Sequence, residues 1–249
     1  MSVFVCGSLH LDVIVQAPHL PRLDETVAGQ GVAYAFGGKG GNQAVAAARM
    51  GARVAMAGRV GSDEFGRTLL AALAGAGVEA GQVQRDDGAS GMSVAVVEPG
   101  GGYGAVIVSA ANLRIDGDTV AVPPGTRIVM LQNEIPEAVN LTVARKARAV
   151  GARVILNAAP ARPMSPQMLT EVDLLVVNRL EAADLSGDNL APEAMALALT
   201  DLGPRQVIVT LGAGGLVIAD GAVSHLPGHA VCVVSTHGAG DAFLGALAA

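Results

Sequence analysis

The chain has 249 residues, 51% of them hydrophobic and 15% charged, with a formal net charge of −6, which is enough to bury the core of one large α/β domain. An acidic balance, no Lys/Arg block and only 2% aromatic residues argue against a nucleic-acid surface, which needs basic patches and stacking rings. No apolar run reaches membrane-spanning length, and no basic stretch precedes an apolar one at the N-terminus, so a soluble cytoplasmic protein is expected.

In chain order, short β-branched apolar runs fall at Val3–Cys6, Val54–Ala57, Ile128–Leu131, Val154–Leu156, Leu174–Val177 and Val207–Thr210. Near-continuous apolarity in short runs is the signature of parallel strands covered on both faces. Between them the pattern predicts helices at about Gly41–Met50, Glu64–Ala74, Pro136–Val150 and Pro192–Leu202. The alternation predicts a doubly wound, mostly parallel α/β sheet flanked by helices with right-handed crossovers. From Val13 to Phe36 and from Ser90 to Val108 strand patterns follow one another without helices, punctuated by Pro18, Pro21, Gly29 and the 99–102 cluster. These segments, about 13–36 and 90–108, predict a small projecting β-sheet, a candidate lid in a single 1–249 domain. Cys6 and Cys232 both lie in apolar runs and read as buried, reduced thiols in strands.

Ligands of open parallel sheets bind beyond the carboxyl ends of the strands, and chemistry-bearing residues gather there. Asp12 is placed just beyond the first strand, Asn133 and Glu134 beyond the third run, Asn157 beyond the fourth, and Asn178 and Glu181 beyond the fifth. At Gly238-Ala239-Gly240-Asp241 small residues at a helix start let backbone N–H groups converge on an anion. A carboxylate inside such a nest suits phosphoryl transfer, with Asp241 taking the proton of the attacking hydroxyl; its plainer reading is a first-turn acid favoured by the helix dipole. Gly37–Asn42 meets neither the P-loop nor the dinucleotide-binding spacing. Its glycines permit close approach of a polyhydroxyl ligand to Lys39 and Asn42, or merely a tight turn capping a helix. Asn178 and Glu181 are spaced either to hold Mg²⁺-bound water near phosphates or to form a capping pair.

These motifs, taken together, resemble the ribokinase-like (PfkB) family of carbohydrate kinases. The residues carrying the resemblance are Gly7-Ser8 with Asp12, Gly37–Asn42 running into Gln43–Ala48, Gln132–Glu134, Asn157–Ala161, Asn178–Glu181, Thr210–Gly215 and Gly238–Asp241. They span nearly the whole chain in the family's order. The resemblance implies transfer of the γ-phosphoryl group of ATP to a primary hydroxyl of a pentose, ribose first. It implies Asp241 as base with Gly238, Ala239 and Gly240 as the anion hole, and sugar contacts from His10, Asp12, Gly38, Lys39, Asn42 and Glu134. Asn178, Thr210, Gly212 and Gly215 would line the nucleotide, Glu181 would act on Mg²⁺ through water, and the lid would form a homodimer contact.

The sequence departs from the family pattern at three places. His10 stands where Asn is usual, which opens the alternative of another sugar or a nucleoside as acceptor. Ser235 stands where the family has an Asp of its monovalent-cation site, which puts K⁺ dependence in doubt. The chain ends at Ala249, shortly after Asp241, whereas the family continues through further helices, so an incomplete nucleotide side or a sugar-binding form without catalysis is a further alternative. A sugar-phosphate acceptor would need basic residues near the lid, for which Arg22, Arg59 and Arg114 are the candidates.

Overall fold

The structure, a computed structural model, describes residues 2–100, 102–187, 190–233, 236 and 238–249. Its strands in chain order are β1 (Ser2–Cys6), β2 (His10–Gln16), β3 (Gly31–Gly37), β4 (Arg53–Gly61), β5 (Glu79–Asp86), β6 (Gly91–Val97), β7 (Tyr103–Val108), β8 (Ile128–Gln132), β9 (Arg153–Asn157), β10 (Leu174–Asn178), β11 (Gln206–Thr210), β12 (Leu216–Ala219) and β13 (Val223–Leu226). The helices are α1 (Lys39–Arg49), α2 (Glu64–Gly75), α3 (Glu137–Ala149), α4 (Pro166–Leu169), α5 (Arg179–Ser186), α6 (Pro192–Thr200) and α7 (Ala239–Ala248). Every run expected as a strand is one, and all four expected helices form, α1 beginning at Lys39 rather than Gly41.

Nine strands make the main sheet in the order β13-β12-β11-β10-β9-β8-β1-β4-β5. It is parallel from β5 to β11 and closed at the other edge by the antiparallel β12–β13 hairpin. Alternation along each strand sends side chains to opposite faces. Phe4, Leu131, Leu156 and Val209 pack under α3 to α6 against Val143, Met168, Ala182 and Met195. Val3, Val5, Met56 and Met130 pack under α1, α2 and α7 against Ala44, Leu69, Leu73 and Leu244. This double cover is why the strands read as unbroken apolar runs. The chain winds outward from β1 to β5 in one direction and from β8 to β11 in the other, so the order reverses between β1 and β8. The loops leaving the carboxyl ends of those two strands therefore flank a crevice. No helix among the described residues is long and apolar enough to cross a membrane.

The remaining four strands form the expected lid, in the order β3-β2-β6-β7. Cross-strand neighbours share a face. Pairing sets Asp12 beside Ala35 and Ser93, and Ser93 beside Ile107, on one face. The other face carries Val13, Tyr34, Val94 and Val106.

Two expectations are corrected. Asp12 is the third residue of β2, inside the lid sheet rather than in a loop beyond β1. Cys232 is exposed in an irregular segment, not buried in a strand; only Cys6 is buried, and burial raises its thiol to about 12. The described part of that apolar run, residues 230–233, follows the end of the edge hairpin at Leu226 and joins no strand.

Candidate active site

Asp241 lies in the first turn of α7, just after Gly238, which adopts the left-handed conformation (φ 71°). The residue is 7% exposed, and its carboxylate accepts two amide hydrogen bonds from α1, from Asn42 Nδ2 at 3.1 Å and Gln43 Nε2 at 3.0 Å. The two helices meet closely because Gly245 leaves room: a Cβ there would sit 2.4 Å from that of Ala46. Burial pushes the Asp241 carboxyl up, opposed by the Lys39 charge and the two amide donors and reinforced by the Glu134 charge. A dry, oriented carboxylate with a raised pKa is a competent proton acceptor.

Behind it runs a buried amide chain. Gln132 Nε2 donates to Gln43 Oε1 (2.9 Å), and Gln43 Nε2 is shared between Asp241 and Asn157 Oδ1 (3.2 Å). Asn157 Nδ2 in turn donates to the Val176 carbonyl. The carboxyl ends of β8 and β9 are thus tied to α1 and α7, which fixes the carboxylate's direction.

Glu134, at the carboxyl end of β8, forms the second wall. Its Oε2 accepts from Ser8 Oγ (2.5 Å) and from the Lys39 backbone N–H (2.8 Å), and His10 Nδ1 lies 3.9 Å away. His10 is 2% exposed and its buried Nε2 has no hydrogen-bond partner among the described residues. Burial lowers its pKa against the opposing pull of Glu134 and Asp12, so the ring is neutral at pH 7. Asp12 is held by Ser93 Oγ, which donates to Oδ1 at 2.6 Å. Gly38 starts α1 at φ 85°, a left-handed value that suits glycine. A Cβ there would lie 2.7 Å from the His10 backbone nitrogen, so the turn also brings α1 against β2. The crevice between β1 and β8 therefore gathers His10, Asp12, Gly38, Lys39, Asn42, Glu134 and Asp241 from four separate segments.

Asn178 and Glu181 form a capping box at the start of α5. Asn178 Oδ1 accepts from the Glu181 N–H (2.9 Å), and Glu181 Oε2 accepts from the Asn178 N–H (2.8 Å). The structural role for this pair is realised, while Glu181 Oε1 makes no hydrogen bond to a described residue. Burial raises the Glu181 carboxyl, opposed by the Asn178 N–H and the Lys39 charge and reinforced by the charges of Asp184 and Asp241. No group of three or more acid, His or Cys side chains able to cage a metal exists among the described residues. A single free carboxylate oxygen suits Mg²⁺, which keeps most of its waters.

Thr210 ends β11 and donates to the Val177 carbonyl (3.3 Å). It is followed by a 3-10 turn, Gly212–Gly214, and by Gly215 at φ 89°. In the Gly238–Gly240 segment, the Ala239 N–H donates to Thr236 O. Ser235 lies outside the described residues. Two of the basic candidates for a phosphorylated acceptor are committed elsewhere: Asp86 pairs with Arg59 (2.9 Å) and Arg114 (2.7 Å).

Gln43, Gln132 and Ser8 carry the sequence resemblance, but their work is visible only through contacts across 89 to 198 positions. Ser93 has no sequence signal until the lid register places it opposite Asp12.

The whole chain, residues 1–249, matches the model of the pfkB family carbohydrate kinases. A mouse protein called ribokinase is 35% identical over 260 residues, covering 99% of this chain and 80% of its own length. Ribokinase from Thermotoga maritima superposes with a TM-score of 0.91 at 28% identity, over 100% of this chain and 84% of that one. Arabidopsis thaliana ribokinase, solved with ribose and ATP, superposes with a TM-score of 0.89 at 29% identity, over 99% and 84% of the two chains.

Proposed function

The chain belongs to the pfkB family of carbohydrate kinases, and from that premise we propose that it transfers the γ-phosphoryl group of ATP to the primary hydroxyl of ribose, forming ribose 5-phosphate and ADP. The observation that carries this is the buried Asp241 carboxylate, aimed by the Asn42 and Gln43 amides beside Lys39. The likeness to ribokinases, one of them solved with ribose and ATP, supports ribose as acceptor.

In this reading Asp12, Lys39, Asn42 and Glu134 hydrogen-bond the sugar hydroxyls, with the Gly38 turn bringing backbone close and His10 closing the floor of the site. Ser93 and Ser8 hold Asp12 and Glu134 in place. Asp241 accepts the hydroxyl proton as the oxygen attacks the γ-phosphorus and the bond to the β-phosphate oxygen breaks. The Gly238–Gly240 segment at the α7 N-terminus faces the transferring charge with the Gly238 and Gly240 N–H groups and the helix dipole, the Ala239 N–H being engaged by the Thr236 carbonyl. Asn178 and the Thr210, Gly212 and Gly215 turn line the nucleotide. Mg²⁺, held by Glu181 through water, supplies charge neutralisation of the phosphates when bound.

The apolar outer face of the lid suits a homodimer. Tyr34 is 63% and Val106 66% exposed there, and large exposed apolar patches mark interfaces. Sedimentation of the wild type and of Val106→Asp tests this; a wild type that is monomeric at micromolar concentration rules the contact out.

The acceptor is tested by coupled ADP release with Mg²⁺, with and without K⁺, for ribose, 2-deoxyribose, fructose and adenosine. Ribose-dependent turnover is the expected result. His10 favours the second reading, a nucleoside or another sugar, and turnover only with such an acceptor would establish it. A phosphorylated sugar is disfavoured by the engagement of Arg59 and Arg114 with Asp86.

A further inference from the structure

The crevice draws on two bodies: Asp12 is carried by the lid, whereas Glu134 follows β8 of the main sheet and Asp241 lies in α7. The chain passes between lid and main sheet at four places: β1 to β2, β3 to α1, β5 to β6, and β7 to a 3-10 turn at Ala110–Arg114. These passages close on one residue, Leu9, which falls between β1 and β2 and belongs to neither strand. A Cβ on Gly38 would lie 2.9 Å from the Leu9 Cα, and one on Gly91 would lie 2.6 Å from the Leu9 carbonyl oxygen.

The fourth passage supplies the hold. Asn112 is fully buried, and its carboxamide pairs with both backbone groups of Leu9. Its Oδ1 accepts from the Leu9 N–H at 2.9 Å, and its Nδ2 donates to the Leu9 carbonyl at 2.9 Å. That double exchange is what a neighbouring antiparallel strand would give, so the buried polar groups of Leu9 stay satisfied where strand pairing is interrupted. Ala110 opens the turn at φ 44°, a left-handed value unusual for a residue with a Cβ. The far end of the turn is tied to the main sheet. Arg114 donates to both carboxylate oxygens of Asp86 at the end of β5 (2.7 and 3.0 Å), and its carbonyl accepts from Arg59 Nη1 on β4 at 2.6 Å. The Arg59–Asp86–Arg114 cluster thereby anchors the turn that carries Asn112.

We propose that Asn112 is a positioning residue for the phosphoryl acceptor: it ties Leu9 to the main sheet, and so fixes where β2 starts and where Asp12, three residues on, meets the acceptor hydroxyls. The proposal rests on the reading of Asp12 as an acceptor contact. Ser93 steadies the Asp12 carboxylate within the lid, while Asn112 sets the strand that carries it against Glu134 and Asp241. A displaced β2 weakens the hold on the acceptor in ground and transition states alike. Asn178 and Thr210 stand on β10 and β11, remote in the sheet order from this junction, so ATP binding stays nearly intact.

The test is steady-state kinetics of Asn112→Ala and the milder Asn112→Ser, using whichever acceptor the wild type phosphorylates, so that the choice of acceptor and the role of Asn112 fail separately. KM for the acceptor should rise about fivefold or more, with kcat and KM for ATP within about twofold of the wild type. In an Asp12→Ala background the same substitution should raise the acceptor KM by less than about twofold, because both residues act on one contact. A merely structural role would lower Tm and raise both KM values together, or would add in full to Asp12→Ala. Either of those results, or an unchanged acceptor KM in a folded variant, would overturn the proposal. Asn112→Ser carries the test where Asn112→Ala fails to fold.

Discussion

Replacing Gln43 by Met separates positioning of the base from support of the fold. Gln43 Nε2 donates to Asp241 Oδ1 at 3.0 Å, which favours the charged carboxylate. A hydrogen bond to a charged group contributes about 1.5 kcal/mol at the low end, and at about 1.4 kcal/mol per pKa unit its loss raises the Asp241 pKa by about one unit. The acid limb of kcat/KM for ribose should therefore move about one unit toward higher pH, with the plateau above it little changed. The same substitution leaves Gln132 Nε2 and Asn157 Oδ1 without their Gln43 partner. An abandoned buried polar group costs about 1–3 kcal/mol, which for a chain of this size lowers Tm by about 2–4 °C per kcal/mol. Gln132→Met is the control, because it breaks the Gln43–Gln132 bond and leaves Gln43–Asp241 standing; its acid limb should stay where the wild type's is. Initial rates from pH 4.5 to 9 and calorimetric Tm provide both readouts. A Gln43→Met enzyme that loses Tm but keeps its acid limb would refute Asp241 as the titrating base.

Ser93→Ala should raise KM for ribose about fivefold with kcat nearly unchanged, since about 1 kcal/mol of support for Asp12 is lost in ground and transition states alike; a fall in kcat at constant KM would contradict a binding role for Asp12. His10→Asn should flatten the acid side of the stability curve. Burial holds the His10 pKa below its usual 6.5, so the unfolded chain binds a proton there that the folded chain refuses, and folding stability falls as pH drops below about 6.5. The wild type should lose more Tm than His10→Asn between pH 6.5 and 5, and parallel losses would show that His10 is not the group responsible.

What was legible in the sequence follows from which forces are local. The run from Leu174 to Val177 announces its strand because both faces are buried. Edge strand β5, EAGQVQRD, carries a polar, half-exposed pattern and gives no such run. The short antiparallel strands β12 and β13 were likewise unmarked, the latter being exposed throughout. The lid was legible as strands without helices, but its register was not, so the Asp12–Ser93 contact stayed hidden. Asn178 and Glu181 show the limit in the other direction: one spacing suits either a capping pair or an acid for Mg²⁺-bound water, and the structure has the first, with Glu181 Oε1 bonding no described residue. Asp241 stood out by its glycine-rich approach; the Gln132–Gln43–Asn157 chain that aims it joins residues no local pattern connects.

The most direct measurement is single-turnover phosphoryl transfer by Asp241→Ala beside its equilibrium affinity for ribose. A general base contributes about 10²–10⁴-fold, so the rate should fall by at least about a hundredfold while ribose binds nearly as before. A variant that turns over at close to the wild-type rate would contradict the assignment of Asp241 as the base.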